Sequence, residues 1–164
     1  IIFVFDWSVG LQLLTPFIII VFISLLTIFG LLTVRNHTPE LHDVSDVKHP
    51  LELSTAIIFA LLFMLFTFLT HYVTSHYGSP GLKSLAIIVG FTDIDPFILS
   101  LLSGKFTVSD PVIVSAVILA TGSNNLLKAA YAVALARNRS VFLAAAWLSF
   151  LFVASILYAL KNTW

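Results

Sequence analysis

The stretch that decides the fold is "VGFTDIDPF", Val89 to Phe97, flanked by "LAII" before it and "ILSLL" after it. Two carboxylates, Asp93 and Asp95, occupy the middle of an apolar run, and Pro96 follows at once. An ionised carboxylate near a bilayer centre costs at least ~2.5 kcal/mol on insertion scales. Two such groups cannot face lipid, so they must meet protein, water or a cation. On an unbroken helix each residue advances about 100°, so positions 93 and 95 point in nearly opposite directions. Both can serve one site only if the helix is interrupted. Gly90 weakens it before the acids, and Pro96 cannot donate to the backbone ladder and disfavours helical geometry at Asp95. "Asp-Pro" also reads as N-cap Asp95 followed by Pro96 at the first position of a new helix. The sequence therefore predicts two half-helices, Leu82 to about Phe91 and Pro96 to about Ser103, meeting at an unwound "TDID".

That a bilayer is the solvent follows from composition. Of 164 residues, 59% are hydrophobic and 10% charged, and the mean hydropathy is +1.06. A water-soluble domain is about half apolar and a quarter charged, so this chain could not cover its surface with polar groups in water. Formal net charge is zero, which removes any electrostatic case for nucleic acid. Without cysteine there is neither a disulfide framework nor a thiolate metal site. The chain opens on "IIFVF" and reads as a fragment or processed piece of a longer membrane protein. That opening has no basic n-region and no small-residue cleavage site, so it is not a signal peptide.

About 20 apolar residues cross the hydrocarbon core as a helix. Five stretches qualify: about Leu13 to Val34, Leu53 to His76, Leu82 to Ser103, Pro111 to Ala136 and Val141 to Leu160. The expectation is a single all-helical transmembrane domain over residues 1–164, with a polar linker at 35–52 between the first two spans. "YGSPG" makes a tight turn before the third span, and short connections imply antiparallel neighbours. Alternation then places Arg35, Lys48, Lys105 and Lys161 on one side and Lys83, Arg137 and Arg139 on the other, which decides no orientation. His37, His42 and His49 read as a solvated loop rather than a metal site. His71 and His76, beside Tyr72 and Tyr77, read as an interfacial belt, as do Asp6 with Trp7 and Lys161 with Trp164.

The fourth stretch carries a matching flaw. "ATGSNNLLKAA", Ala120 to Ala130, sets Gly122, Ser123, Asn124 and Asn125 at its centre, with Lys128 a turn later. This predicts a second interruption near the midplane. Ala116, Ala120, Asn124, Lys128, Ala132 and Ala136 also form a stripe at spacing four, a face on which helices approach closely in lipid. A homo-oligomer, most simply a dimer, is expected through such small-residue faces of the fourth or fifth helix.

Paired interruptions at the midplane point to an ion or substrate site in a membrane transporter. The candidate ion-pathway residues are Thr92, Asp93, Asp95, Ser123, Asn124, Asn125 and Lys128, with Gly90, Pro96 and Gly122 as hinges. Their oxygens are hard ligands that suit small inorganic cations rather than soft metals. The expected function is a cation channel or transporter. The alternative is a non-conducting membrane module that binds or regulates a partner, in which Asp93 or Asp95 locks with Lys128. An enzyme is not expected: two acids two residues apart lack the separate placement an acid pair needs, and no nucleotide loop, nucleophile elbow or metalloprotease helix is present. No cofactor is expected beyond a bound inorganic cation.

"GFTDIDPFILSL" followed some twenty residues later by "SNNLLKAAYAVAL" resembles a paired signature of a membrane domain of unknown function, found as the C-terminal half of MgtC/SapB-type bacterial proteins. There the motifs read Gly-Leu-x-Asp-x-Asp-Ala and Ser-Asn-Thr-x-x-Lys-Ala. Gly90, Asp93, Asp95, Ser100, Ser123, Asn124, Lys128 and Ala129 match; Pro96 replaces the usual small residue and Asn125 the usual Thr. The resemblance implies a multi-pass protein of the bacterial inner membrane and no particular activity.

Overall fold

The computed structural model describes residues 7–34, 53–104, 106, 108–135 and 140–161. The linker at 35–52 with its three histidines, together with Asp6, Lys105, Arg137, Arg139 and Trp164, lies outside them. Among the described residues every regular element is a helix, as expected: α1 (Trp7–Val34), α2 (Leu53–Val89), α3 (Ile94–Ser103), α4 (Asp110–Leu135) and α5 (Ser140–Lys161). Four of them are long and apolar enough to cross a membrane; α3, with ten residues, is not.

Helix α2 is two arms, 53–77 and 79–89, joined at Gly78, whose φ of 59° and ψ of −147° are non-helical. The bend is tight. A Cβ placed on Gly81 would lie 2.8 Å from Val73 Cγ1, whereas eight residues of straight helix span about 12 Å. Only glycine occupies such a backbone conformation without strain. Because a Cβ on Gly78 would meet nothing within 4 Å, Gly78→Ala tests backbone strain alone. It should cost about 1–3 kcal/mol, measured by thermal unfolding in detergent.

With α4 as a ruler, the path of the chain becomes clear. Helices α4 and α5 are antiparallel, with Gly122 against Ser155 and Phe152, so Ala159 lies level with about residue 118. The Lys83 ammonium donates to the Ala159 carbonyl at 3.0 Å, while the Ser123 hydroxyl donates to the Ile87 carbonyl at 2.7 Å. The second arm of α2 therefore descends alongside α4 in the same direction, from the level of Asp110 to the middle of α4. Helix α3 cannot continue downward. Ten more residues would carry it about 15 Å further, and the short link from Ser103 to Asp110 could not climb back. It returns to the level where it began. The edge-to-face contact of Phe66 with Phe97, centroids 5.9 Å apart, then places the first arm of α2 antiparallel to α4.

The third apolar stretch is thus a re-entrant helical hairpin, not a crossing. Five expected spans become four crossings, α1, the first arm of α2, α4 and α5, with a hairpin of 79–103 inserted from one side. We call that side the near side; it carries Gly78, Asp110 and Lys161. Lys83 belongs with Lys161 there, not opposite it as alternation suggested, because the hairpin enters and leaves on one face.

Packing follows the hairpin. On α4 the buried side chains run from Ile113 to Ser123, on α1 they are Val9 and Leu13, and on α2 they begin at Phe66. Leu82, Ala86, Phe97 and Leu101 fill the space between. The far half is open: beyond Ser123 only Ala129 of α4 is buried, and Leu53, Ile57, Ile58 and Leu61 of α2 are exposed.

Helix α4 is continuous from Asp110 to Leu135, so the expected second interruption is absent. In hydrocarbon, each backbone group without an intrahelical partner costs several kcal/mol, which outweighs the weak helix propensity of Gly, Ser and Asn. The small stripe serves contacts within the chain. Ala116 and Ala120 of the stripe are fully buried, so this part of the face expected to join two copies is already covered.

Candidate functional site

The break lies at the hairpin tip, residues 90–93, level with Ala120 to Asn124 and hence near the middle of the roughly 39 Å of α4. The second arm of α2 ends by tightening: the Phe91 amide donates to Ile88 O at 3.2 Å and the Thr92 amide to Val89 O at 2.8 Å. The Thr92 hydroxyl donates to the same Val89 carbonyl. Three carbonyls around the tip are served from α4. Ser123 takes Ile87 O, and the Asn124 amide nitrogen reaches Gly90 O at 3.3 Å, with Thr92 O at 3.5 Å. Gly90 permits this approach: a Cβ there would lie 2.4 Å from Ser123 Cβ and 2.6 Å from Ala120 O.

Helix α3 begins one residue later than the tip. Asp93 is its N-cap, extended at φ −81° and ψ 114°, and accepts from the Asp95 amide at 3.2 Å. This corrects the expected cap. Asp95 is the second helical residue and Pro96 the third, where the missing N–H is an unpaired helix-end donor in any case. Both acids thus sit at the N-terminal end of α3, Asp93 as its cap and Asp95 in its first turn.

The sequence-derived candidates separate into three groups. Gly90, Thr92, Ser123 and Asn124 come together at the tip. Asp93 and Asp95 are adjacent and exposed. Asn125 and Gly122 line a different space, facing Pro16, Phe17 and Ile20 of α1 and Leu151 and Ser155 of α5. Lys128 sits one turn beyond Asn124 and is exposed; among the described residues no ion pair joins it to either acid. Pro96 is buried inside α3. No group of three metal-ligating side chains forms among the described residues.

Two features escaped the sequence. Lys83 ties the hairpin to the C-terminal turn of α5; its position inside an apolar stretch was the available signal. An apolar cavity of about 820 Å3, open along one side, runs along α1 from Gly10 to Leu25 and is bordered by Phe59, Ile98 and Leu99, with Asp95 in its wall. No periodicity within α1 marks it, because it forms between helices.

Half-helices meeting at a polar break inside an all-helical apolar bundle define a multi-pass membrane protein. Residues 1–136 match the family model of the "domain of unknown function (DUF4010)", and the chain belongs to that family. The match contains the whole hairpin and the Ser123–Lys128 segment. The chain is also similar to an "uncharacterized protein" of Aquifex aeolicus (strain VF5), 35% identical over 101 residues, covering 60% of this chain and 43% of that one. The matched segment thus spans under half the length of that relative. No solved structure matches.

Proposed function

We propose that the chain passes small inorganic cations across the membrane, as a channel or transporter, at the hairpin tip. One observation carries this reading. Residues 91–93 are non-helical, exposed and near mid-height, and they bring Asp93 and Asp95 with them. Non-helical backbone at that depth is tolerated where it is buried in protein or lines a water-filled cavity. Exposed carboxylates without a cation partner among the described residues point to the second case.

The ligand set follows from the hydrogen bonds. Asn124 turns its nitrogen toward the carbonyls, which leaves its amide oxygen as an acceptor. One Asp93 oxygen caps α3 and the other is free for an ion. Thr92 and Asp95 add oxygens close by, and Lys128 limits the net negative charge. The packed near half forms the closed side of the pathway and the open far half its vestibule. The same reading takes the chain as the C-terminal half of an MgtC/SapB-type protein of the bacterial inner membrane, acting as a homo-oligomer and not as an enzyme. The paired motifs and the greater length of the Aquifex relative support that setting.

The bonds from Ser123 and Asn124 to the tip favour a second reading, a non-conducting module whose lock is amide-to-backbone rather than Asp-to-Lys. Liposome flux distinguishes the two. Protein reconstituted with potassium, sodium, magnesium or a proton gradient should dissipate at least one gradient faster than empty liposomes. Rates equal to empty liposomes for all four ions would leave the non-conducting module as the better reading.

A further inference from the structure

The cavity beside α1 has a composition unlike the tip. Its wall is apolar along the whole length of α1 that it follows, and Asp95 is its single ionisable lining residue. Three aromatic rings, Phe17, Phe22 and Phe59, share it with aliphatic side chains such as Leu14 and Leu99. At about 820 Å3 it falls within the roughly 300–1,000 Å3 of small-molecule sites, which are typically apolar with a few placed polar groups.

Each component restricts the occupant. A hydrated inorganic ion finds one carboxylate and no other oxygen-rich shell here. A lipid acyl chain or a neutral hydrocarbon would set hydrocarbon against the Asp95 carboxyl group, which it can neither hydrogen-bond nor neutralise. A molecule with a hydrophobic body and one delocalised positive charge satisfies both parts. Its body covers the apolar wall, its charge meets Asp95, and phenyl faces attract cations that have shed their water.

We infer that this cavity is a binding site for amphipathic organic cations, with Asp95 as the charge-recognising residue and Phe17, Phe22 and Phe59 as the aromatic wall. The site shares Asp95 with the tip but not Asp93, Thr92 or Asn124, none of which lines the cavity. It does not require that inorganic ions pass through the protein.

The test uses the purified chain in lipid nanodiscs. Tetraphenylphosphonium is the probe, and its uncharged analogue tetraphenylmethane tests the role of charge, both by equilibrium dialysis against empty discs. The phosphonium should bind saturably, and Asp95→Asn should weaken it at least tenfold. Phe59→Ala should weaken it several-fold, and Asp93→Asn should leave it within threefold. The neutral analogue should show no saturable site that depends on Asp95. Equal binding of both probes, or unchanged phosphonium affinity in Asp95→Asn, would overturn the proposal and mark the cavity as a lipid-filled gap. Flux measured on the same preparations is a separate readout, so loss of one proposal leaves the other standing.

Discussion

Gly90→Ala should lower the melting temperature of the detergent-solubilised protein by roughly 6–12 °C, from about 3 kcal/mol of lost stability at 2–4 °C per kcal/mol. The added methyl would lie 2.6 Å from Ala120 O and 2.4 Å from Ser123 Cβ. The Ala120 carbonyl belongs to the backbone of α4, and Ser123 Cβ is fixed by that same backbone, so neither can swing aside. The hairpin must therefore withdraw from α4. Withdrawal lengthens the bond from Ser123 to Ile87 O and strands a carbonyl at a depth where water does not replace its partner. Gly30→Ala is the control: a Cβ added there would meet no neighbouring element within 4 Å, and alanine is the better helix former by about 1 kcal/mol. If the two variants melt alike, the hairpin does not press against α4 as described.

The same contact explains what the sequence could and could not convey. The break at the tip was legible because its causes are local: Gly90, two acids that hydrocarbon rejects, and Pro96. Its direction was not. Leu82 to Ser103 is long and apolar enough to cross, and hydropathy counts residues without recording whether a chain returns. The reversal depends on Phe66 meeting Phe97 and Lys83 meeting Ala159, pairs separated by 31 and 76 positions. The error at α4 has the opposite origin. Gly122, Ser123 and Asn124 were read as weakening their own helix. In the fold they stay helical and use their smallness and polarity on neighbours. Gly122 admits Ser155, Ser123 admits Gly90, and Asn124 satisfies the carbonyls of the tip. A residue that looks like a breaker by propensity can thus be a docking point. The cap moved from Asp95 to Asp93 because proline is as acceptable at the third helical position as at the first. The apolar cavity left no trace, since Phe17 and Phe59 look like ordinary lipid-facing residues until the fold sets them around one space with Ile98 and Leu99 of α3.

Asp93→Asn should abolish cation flux while leaving the fold intact, and the reason lies in the double duty of that carboxylate. One oxygen accepts the Asp95 amide as the N-cap of α3; the other, in the proposed mechanism, meets the ion. Asparagine and aspartate are nearly equal as N-caps, whereas alanine in place of either costs about 1 kcal/mol. Asparagine therefore preserves the capping bond and removes only the charge. Its neutral amide cannot replace the charge of a carboxylate in attracting a cation. Flux should fall at least tenfold in Asp93→Asn, with a melting temperature close to that of the parent. Asp93→Ala should lose the same flux and also melt lower by a few degrees, from about 1 kcal/mol of lost capping. Lys128→Met adds a check from the opposite sign. Without its ammonium the tip is more negative, so cation affinity should rise, read as flux that saturates at a lower ion concentration. These outcomes separate charge from structure. If Asp93→Asn conducts like the parent while Asp93→Ala melts lower, the acid is a helix cap alone, and the exposed break serves no ion.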